Sequence, residues 1–262
     1  MKSCRVIMAG TGNASTVLGR LIRRSGHTIV AVAGRQATKT RELANEWDAR
    51  ATSSFDFSGI EADFCILAVA DHALYGCGEW LRAGDMATVH TAGSVPMDVL
   101  RSVAARFGVL YPLQSLNTNA SSLPEVPFLV DGSSGEVKAS LFDFAQTLSS
   151  DVRTANDAER ADHHLAAVFS SNFINHLLAL TEDYCRSKGI SFSSLNPLVR
   201  ETIERAFRDS PSNVQTGPAA RNDLGTVERQ SECLAEMPHL QSIYRIMTRS
   251  IRQRHGHDGG QS

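Results

Sequence analysis

The stretch VIMAGTGNASTVLGRLI, Val6 to Ile22, constrains the fold more than any other part of the chain. An apolar run leads into Gly10-Thr-Gly-Asn-Ala-Ser15, and an amphipathic run leaves it. Gly10 permits a tight turn out of a strand. Gly12 has no side chain to keep a pyrophosphate from the backbone, and a helix starting near Asn13 would aim its free N–H groups at the phosphates. The pattern is a dinucleotide fingerprint except at Ser15, where a third glycine or an alanine is expected. That position serves helix–strand packing more than phosphate contact, so serine weakens the packing argument without blocking the site. A glycine pattern alone is often an ordinary turn, but a strand before it and a helix after it are the required context. Gly10, Thr11, Gly12, Asn13 and Ala14 are therefore expected to hold a nucleotide.

The first 150 or so residues repeat this alternation. Cys4–Ala9, Thr28–Ala33, Phe64–Val69, Ala87–Thr91, Val109–Tyr111 and Phe128–Val130 read as strands. Helical periodicity falls at Ala14–Arg24, Thr38–Trp47, Pro96–Arg106 and Glu136–Leu148. Strands that are apolar throughout suit a sheet covered on both faces, and their alternation with helices predicts a doubly wound, mostly parallel α/β sheet. After Val152 the strands stop. Asp157–Ser187 contains no proline or glycine and reads as one helix, roughly 45 Å long. Leu195–Phe207, Asp223–Met237 and Pro238–Arg252 read as further helices. The expected division is a nucleotide-binding Rossmann domain over 1–152, an all-helical domain over 153–254 and a frayed tail over 255–262.

The second strand ends VAVAGRQATKT. A chain choosing NAD usually places an acidic residue there for the ribose hydroxyls. Here Gly34 is followed by Arg35, with Thr38 and Lys39 close behind. A guanidinium can hold the extra phosphate of NADP, while the bland alternative is a solvated surface arginine. Ligands of open α/β sheets lie beyond the carboxyl ends of the strands. That region offers Val69, Ala70, Asp71 and His72, then His90, Thr91 and Ser94, then Pro112, Gln114 and Ser115. Asp71 reads first as a helix cap.

In the helical half, DHHLAAVFSSNFINH places His164, Val168 and Asn172 at i, i+4 and i+8, with Ser171 beside them. This polar stripe is a candidate catalytic set, or a group of satisfied core hydrogen bonds. Arg221 in VQTGPAARND would project from a loop toward an anionic group, unless Asp223 or Glu228 neutralises it. Phe169, Phe173, Ile174 and Leu177 leave the long helix apolar on more than one side, which predicts a homodimer.

Composition narrows the partners. Net charge is -2, with 42% apolar and 21% charged residues, so nothing electrostatic points to nucleic acid or an anionic membrane. The five cysteines are odd in number, and no pair has metal-type spacing. They read as buried thiols of a reducing compartment, with no metal. The chain runs into a strand without a signal peptide and contains no membrane-length apolar run, so a cytoplasmic protein is expected.

GTGNAS, VHTAGSVPMDVL, YPLQSL, HHLAAVFSSNF and TGPAARND occur in that order. Together they resemble a bacterial family that joins a Rossmann-like domain to a helical domain of unknown function, the set looking most like representatives from the Bacteroides group. Its members are labelled NADP oxidoreductases, sometimes dependent on a deazaflavin coenzyme. The family is similar in layout to pyrroline-carboxylate reductase, ketopantoate reductase and 6-phosphogluconate dehydrogenase, which hold substrate between the two domains. The resemblance implies NADP(H) as cofactor and a small-molecule substrate. Two departures stand out. Beta-hydroxyacid dehydrogenases carry a lysine four residues before the helix asparagine, where this chain has Val168 before Asn172. Gln230 stands where the family tends to have a histidine. The expected reaction is hydride transfer from NADPH to a small carbonyl or imine compound. His164 is the expected proton donor with Ser171 and Asn172 beside it, and His90 is its rival. Ser94, Gln114 and Arg221 are expected to meet substrate. A nucleotide sensor without turnover is the alternative from another class, and an NADP oxidoreductase linked to a deazaflavin coenzyme is the third reading.

Overall fold

The structure is a computed structural model, and it describes residues 3–118 and 122–257. The chain forms two compact units, Met1–Phe173 and Ile174–Ser262.

In the first unit, β1 (Arg5–Ala9), α1 (Asn13–Arg24), β2 (Thr28–Ala33), α2 (Ala37–Trp47) and β3 (Arg50–Thr52) form one winding. Then come β4 (Phe64–Leu67), the short α3 (Asp71–Leu74) and α4 (Cys77–Trp80), β5 (Ala87–His90), β6 (Phe107–Pro112) and β7 (Phe128–Gly132). They are followed by α5 (Gly135–Leu148), β8 (Val152–Thr154) and α6 (Asp157–Ala167). The sheet order is β3-β2-β1-β4-β5-β6-β7-β8, and every described pair is parallel except β6 with β7. This is the expected Rossmann-type sheet. The winding reverses between β1 and β4, so a crevice opens there at the carboxyl ends of the strands.

Both faces are covered, which is why the strands read as continuous apolar runs. Val6 and Met8 pack with Leu18, Leu21, Leu43, Trp47, Leu141 and Phe144 from α1, α2 and α5. Ile7 and Ala9 point the other way, toward Leu74, Cys77, Leu81 and Leu100. The period of two thus divides each strand between two cores.

Four details depart from the sequence reading. Pro96–Arg106 is not a helix, and its regular part is a 3₁₀ turn over Met97–Leu100. Leu100 and Ala104 of this segment are buried in the core, and Met97, Val99 and Val103 pack against it. The strands continue past Val152, because β8 pairs with β7. β3 carries no apolar run and pairs with β2 all the same. The long helix is interrupted by a π-helical turn over Val168–Asn172, between α6 and α7 (Phe173–Ser187).

The second unit is helical: α7 is followed by α8 (Asn196–Arg208), α9 (Leu224–Glu232) and α10 (Pro238–Arg254). Gly189, at φ +68°, ends α7. Tyr244 of α10 donates to Gln230 Oε1 of α9 at 2.8 Å, and Gln241 Nε2 donates to the Ser231 carbonyl at 2.7 Å. No described residue of α8, α9 or α10 is buried. Phe207 is 86% exposed and Ile246 67%. Of the tail expected to fray, residues 258–262 lie outside the described ones, while His257 Nε2 contacts the Ala220 carbonyl at 2.8 Å. Cys65, Cys77 and Cys185 are buried thiols, but Cys233 is exposed. Among the described residues no helix is long and apolar enough to cross a membrane, and no cluster could hold a metal ion.

Candidate active site

The glycine loop stands at the switch point between β1 and β4. Gly10 has φ +122°, and a Cβ there would lie 2.1 Å from the Ala68 carbonyl oxygen, so only glycine fits the turn. Ser15 is fully buried, and its Oγ donates to the Gly10 carbonyl at 2.7 Å. The residue that breaks the fingerprint therefore ties the loop's first glycine to the first turn of α1. Gly12, the N-cap of α1, offers no side-chain cap, and a Cβ on it would meet nothing within 4 Å. The helix start thus faces open space with its first amides free of side-chain caps.

Two cavities flank this loop. The first, about 630 Å³, is lined by Gly10, Thr11, Gly12, Gly34, Arg35, Gln36, Phe55, Val69, Ala70 and Trp80, among others. Arg35 is exposed at the mouth of α2, with no ion pair among the described residues; the end of β2 carries no carboxylate. Phe55 and Trp80 meet edge to face, ring centroids 4.9 Å apart. Phe57 N–H donates to the Arg82 carbonyl, and Arg82 N–H donates to that of Phe55. This long-range bridge brings the two rings together, and nothing local in the sequence marks them.

The second cavity, about 690 Å³, lies on the β5–β6 side and is lined wholly by first-unit residues. It gathers Asn13, Ala14, Thr91, Gln114, His164, Ser171 and Asn172 from the expected set, and adds Asp71, Tyr111 and His163. The Tyr111 hydroxyl and His164 Nδ1 lie 3.0 Å apart. Burial, foremost, pushes the Tyr111 phenol up, so it stays protonated at neutral pH. A Cβ on Gly93 would fall 2.6 Å from His164 Nδ1, so the ring rests against bare backbone.

A buried arginine fixes that arrangement. Arg160, 1% exposed, donates to the Gly93 carbonyl at 3.2 Å, to the Val95 carbonyl at 2.5 Å and to Asp157 Oδ1 at 2.8 Å. Asp157 also accepts from Met97 N–H. Asn156 and Glu159 form a capping box over the same turn. The start of α6 is thereby stitched to the loop after β5, one turn before His164.

Other expected residues fall elsewhere. His90 lines neither cavity and is 0% exposed. Along β5 Val89 faces one core and His90 the other; its Nδ1 accepts from Ala92 N–H at 3.2 Å. Burial, followed by the Arg160 charge, holds its pKa down to about 4, so it is neutral and encased at neutral pH. It fits neither cofactor contact nor proton donation. Ser94 does not line the cavity but donates to Asp71 Oδ2 at 3.1 Å. Asp71 is not a cap, since Ala70 occupies the N-cap of α3. The Gln114 amide is engaged within its own loop, by Glu125 and Ser115. Arg221 belongs to the second unit, where it is exposed and forms no ion pair with Asp223 or Glu228; Asp223 caps α9 instead.

Comparison with known proteins accords with this layout. Residues 126–251 match a family model described as a domain of unknown function, DUF2520. The crystal structure of a "putative NADP oxidoreductase" from Bacteroides fragilis is 33% identical, with a TM-score of 0.88 over 96% of this chain and 98% of that one. An Aspergillus terreus reductive aminase in complex with NADPH and ethyl levulinate shares the fold at 18% identity, TM-score 0.69, over 98% and 97% of the two chains. A 1-pyrroline-5-carboxylate reductase from Streptococcus pyogenes does so at 13% identity, TM-score 0.64, over 96% and 99%. No curated protein matches the chain. Identity of this level across nearly the full length of both chains places the protein in the same family as the Bacteroides fragilis protein, the family of the DUF2520 domain.

Proposed function

We propose that this protein is an NADPH-dependent oxidoreductase that reduces a small carbonyl or imine compound. One observation carries the reading: two cavities meet at a single uncapped glycine loop, and Arg35 stands where an NAD enzyme keeps a carboxylate. The residues fit such a cofactor. The open space over Gly12 and the start of α1 suit a pyrophosphate, Arg35 suits a 2′-phosphate, and Phe55 and Trp80 offer aromatic edges to a base. Val69 and Ala70 on one side and Thr91 on the other would border the rest of the dinucleotide. A reduced nicotinamide supplies a hydride when bound.

The chain's own residues supply the remainder. His164 is the proposed proton donor, with Tyr111 hydrogen-bonded to its Nδ1 and with Ser171 and Asn172 to orient substrate. The names of the Bacteroides and Aspergillus proteins support this class of reaction and cofactor. We also propose that a second copy of the chain covers the helical unit, whose exposed Leu198, Ile203, Phe207, Ile246 and Met247 need a partner surface. The test of turnover is NADPH oxidation by the purified protein with a metabolite extract. Extract-dependent oxidation is expected. Tight NADPH binding without oxidation in any extract would instead describe a sensor.

A further inference from the structure

We propose that the second cavity selects a substrate that carries positive charge on nitrogen, a protonated imine or the amine formed from it, and that Asp71 reads that charge. The inference rests on the assignment of this cavity as the substrate side of an NADPH site. It begins with the charges that face the cavity. Asp71 is the one carboxylate among the lining residues, and no lysine or arginine lines it among the described residues. The other polar lining groups are imidazoles, hydroxyls and amides, His163, His164, Tyr111, Ser171 and Asn172 among them.

Asp71 is not consumed by the fold. It does not cap α3, it forms no ion pair among the described residues, and it accepts one hydrogen bond, from Ser94. That bond turns Oδ2 toward the loop after β5 and leaves a second oxygen for a ligand. The buried Arg160 does not line the cavity, and three protein oxygens hold it. His163 spends its Nδ1 on the Glu159 carbonyl at 2.7 Å. The cavity therefore presents a carboxylate with no built-in counter-ion.

That charge separates the candidate substrates. A carbonyl reacts as a neutral group and gathers negative charge on oxygen, which a nearby carboxylate opposes. An imine accepts hydride as its protonated form, and a carboxylate beside it raises the fraction so held. The Tyr111–His164 pair provides a proton for that protonation on the same wall. A substrate bearing its own carboxylate would meet like charge at Asp71.

The test uses the full chain saturated with NADPH, titrated by calorimetry near neutral pH. Three saturated six-membered rings serve as probes, none able to accept hydride: piperidine as the cation, tetrahydropyran as the neutral isostere and tetrahydropyran-4-carboxylate as the anion. Piperidine is expected to bind about tenfold more tightly than tetrahydropyran, as a charge-assisted hydrogen bond requires, and the carboxylate most weakly. Asp71→Asn should erase the preference for the cation while leaving tetrahydropyran and NADPH affinities unchanged. Because Asp71 is exposed, the variant should fold, and its NADPH titration verifies that. Equal binding of cation and neutral ring, no binding of piperidine, or a preference that survives Asp71→Asn overturns the proposal. Tightest binding of the carboxylate also overturns it. If NADPH itself fails to bind, the cofactor assignment fails and the inference falls with it; if NADPH binds without a cation preference, the inference alone falls.

Discussion

Ser15 departs from the dinucleotide fingerprint, so restoring the fingerprint is an informative perturbation. Ser15→Gly removes the buried bond from Oγ to the Gly10 carbonyl, worth about 1 kcal/mol. It also puts glycine in the first turn of α1, which costs roughly 0.5–1 kcal/mol relative to alanine. The expected loss is about 2 kcal/mol, with Ser15→Ala losing only the hydrogen-bond share, about 1 kcal/mol. Urea unfolding followed by circular dichroism measures both, and the difference between the variants isolates the backbone contribution. Ser15 lines neither cavity, so NADPH affinity should stay within about threefold of the parent, well under 1 kcal/mol. A Ser15→Gly protein as stable as the parent would refute the view that this serine ties the loop. So would a Ser15→Ala protein that falls as far as Ser15→Gly.

Three further outcomes are expected. His164→Ala should slow extract-driven NADPH oxidation by roughly 10²–10⁴-fold while NADPH still binds; an unchanged rate removes His164 from proton transfer. His90, held near pKa 4 in the fold against about 6.5 when unfolded, favours the folded state fully above pH ~6.5, and that contribution fades as pH falls toward about 4. It amounts to roughly 3 kcal/mol, and the buried His27, also held low by burial, acts in the same direction, so unfolding scans should show a shallower acid slope in His90→Gln. Light scattering at micromolar concentration should give a dimer mass, reduced by Phe207→Glu; a monomer for the parent chain rules the second copy out.

The legible parts of this protein were the local ones. The glycine loop, its strand and its helix lie within Arg5–Arg24, and turn geometry and amphipathic period both act at that range. The two-sided burial of β1, β2 and β4 was equally plain, because both faces demand apolar residues. β3 and β8 were missed because three-residue edge strands such as Val152–Thr154 hold themselves by pairing, not by an apolar run. The π-helical turn was not legible because no proline or glycine marks a break in DHHLAAVFSSNF. Asp71 and Tyr111 read as loop and strand-end residues, yet their meeting in one cavity depends on parallel pairing across β4, β5 and β6. His90 lines neither cavity because a strand's last residue can face either side, and alternation along β5 turns it away from the face of Val89.

The central claim is that the glycine loop and Arg35 hold NADP(H). Calorimetric titration of the parent protein and Arg35→Asp with NADPH and NADH tests it most directly. The account predicts that the parent prefers NADPH, and that Arg35→Asp loses about 1.5–3 kcal/mol of NADPH binding, at least about tenfold, with little change for NADH. Equal affinity of the parent for the two cofactors, or NADPH binding untouched by Arg35→Asp, would contradict it.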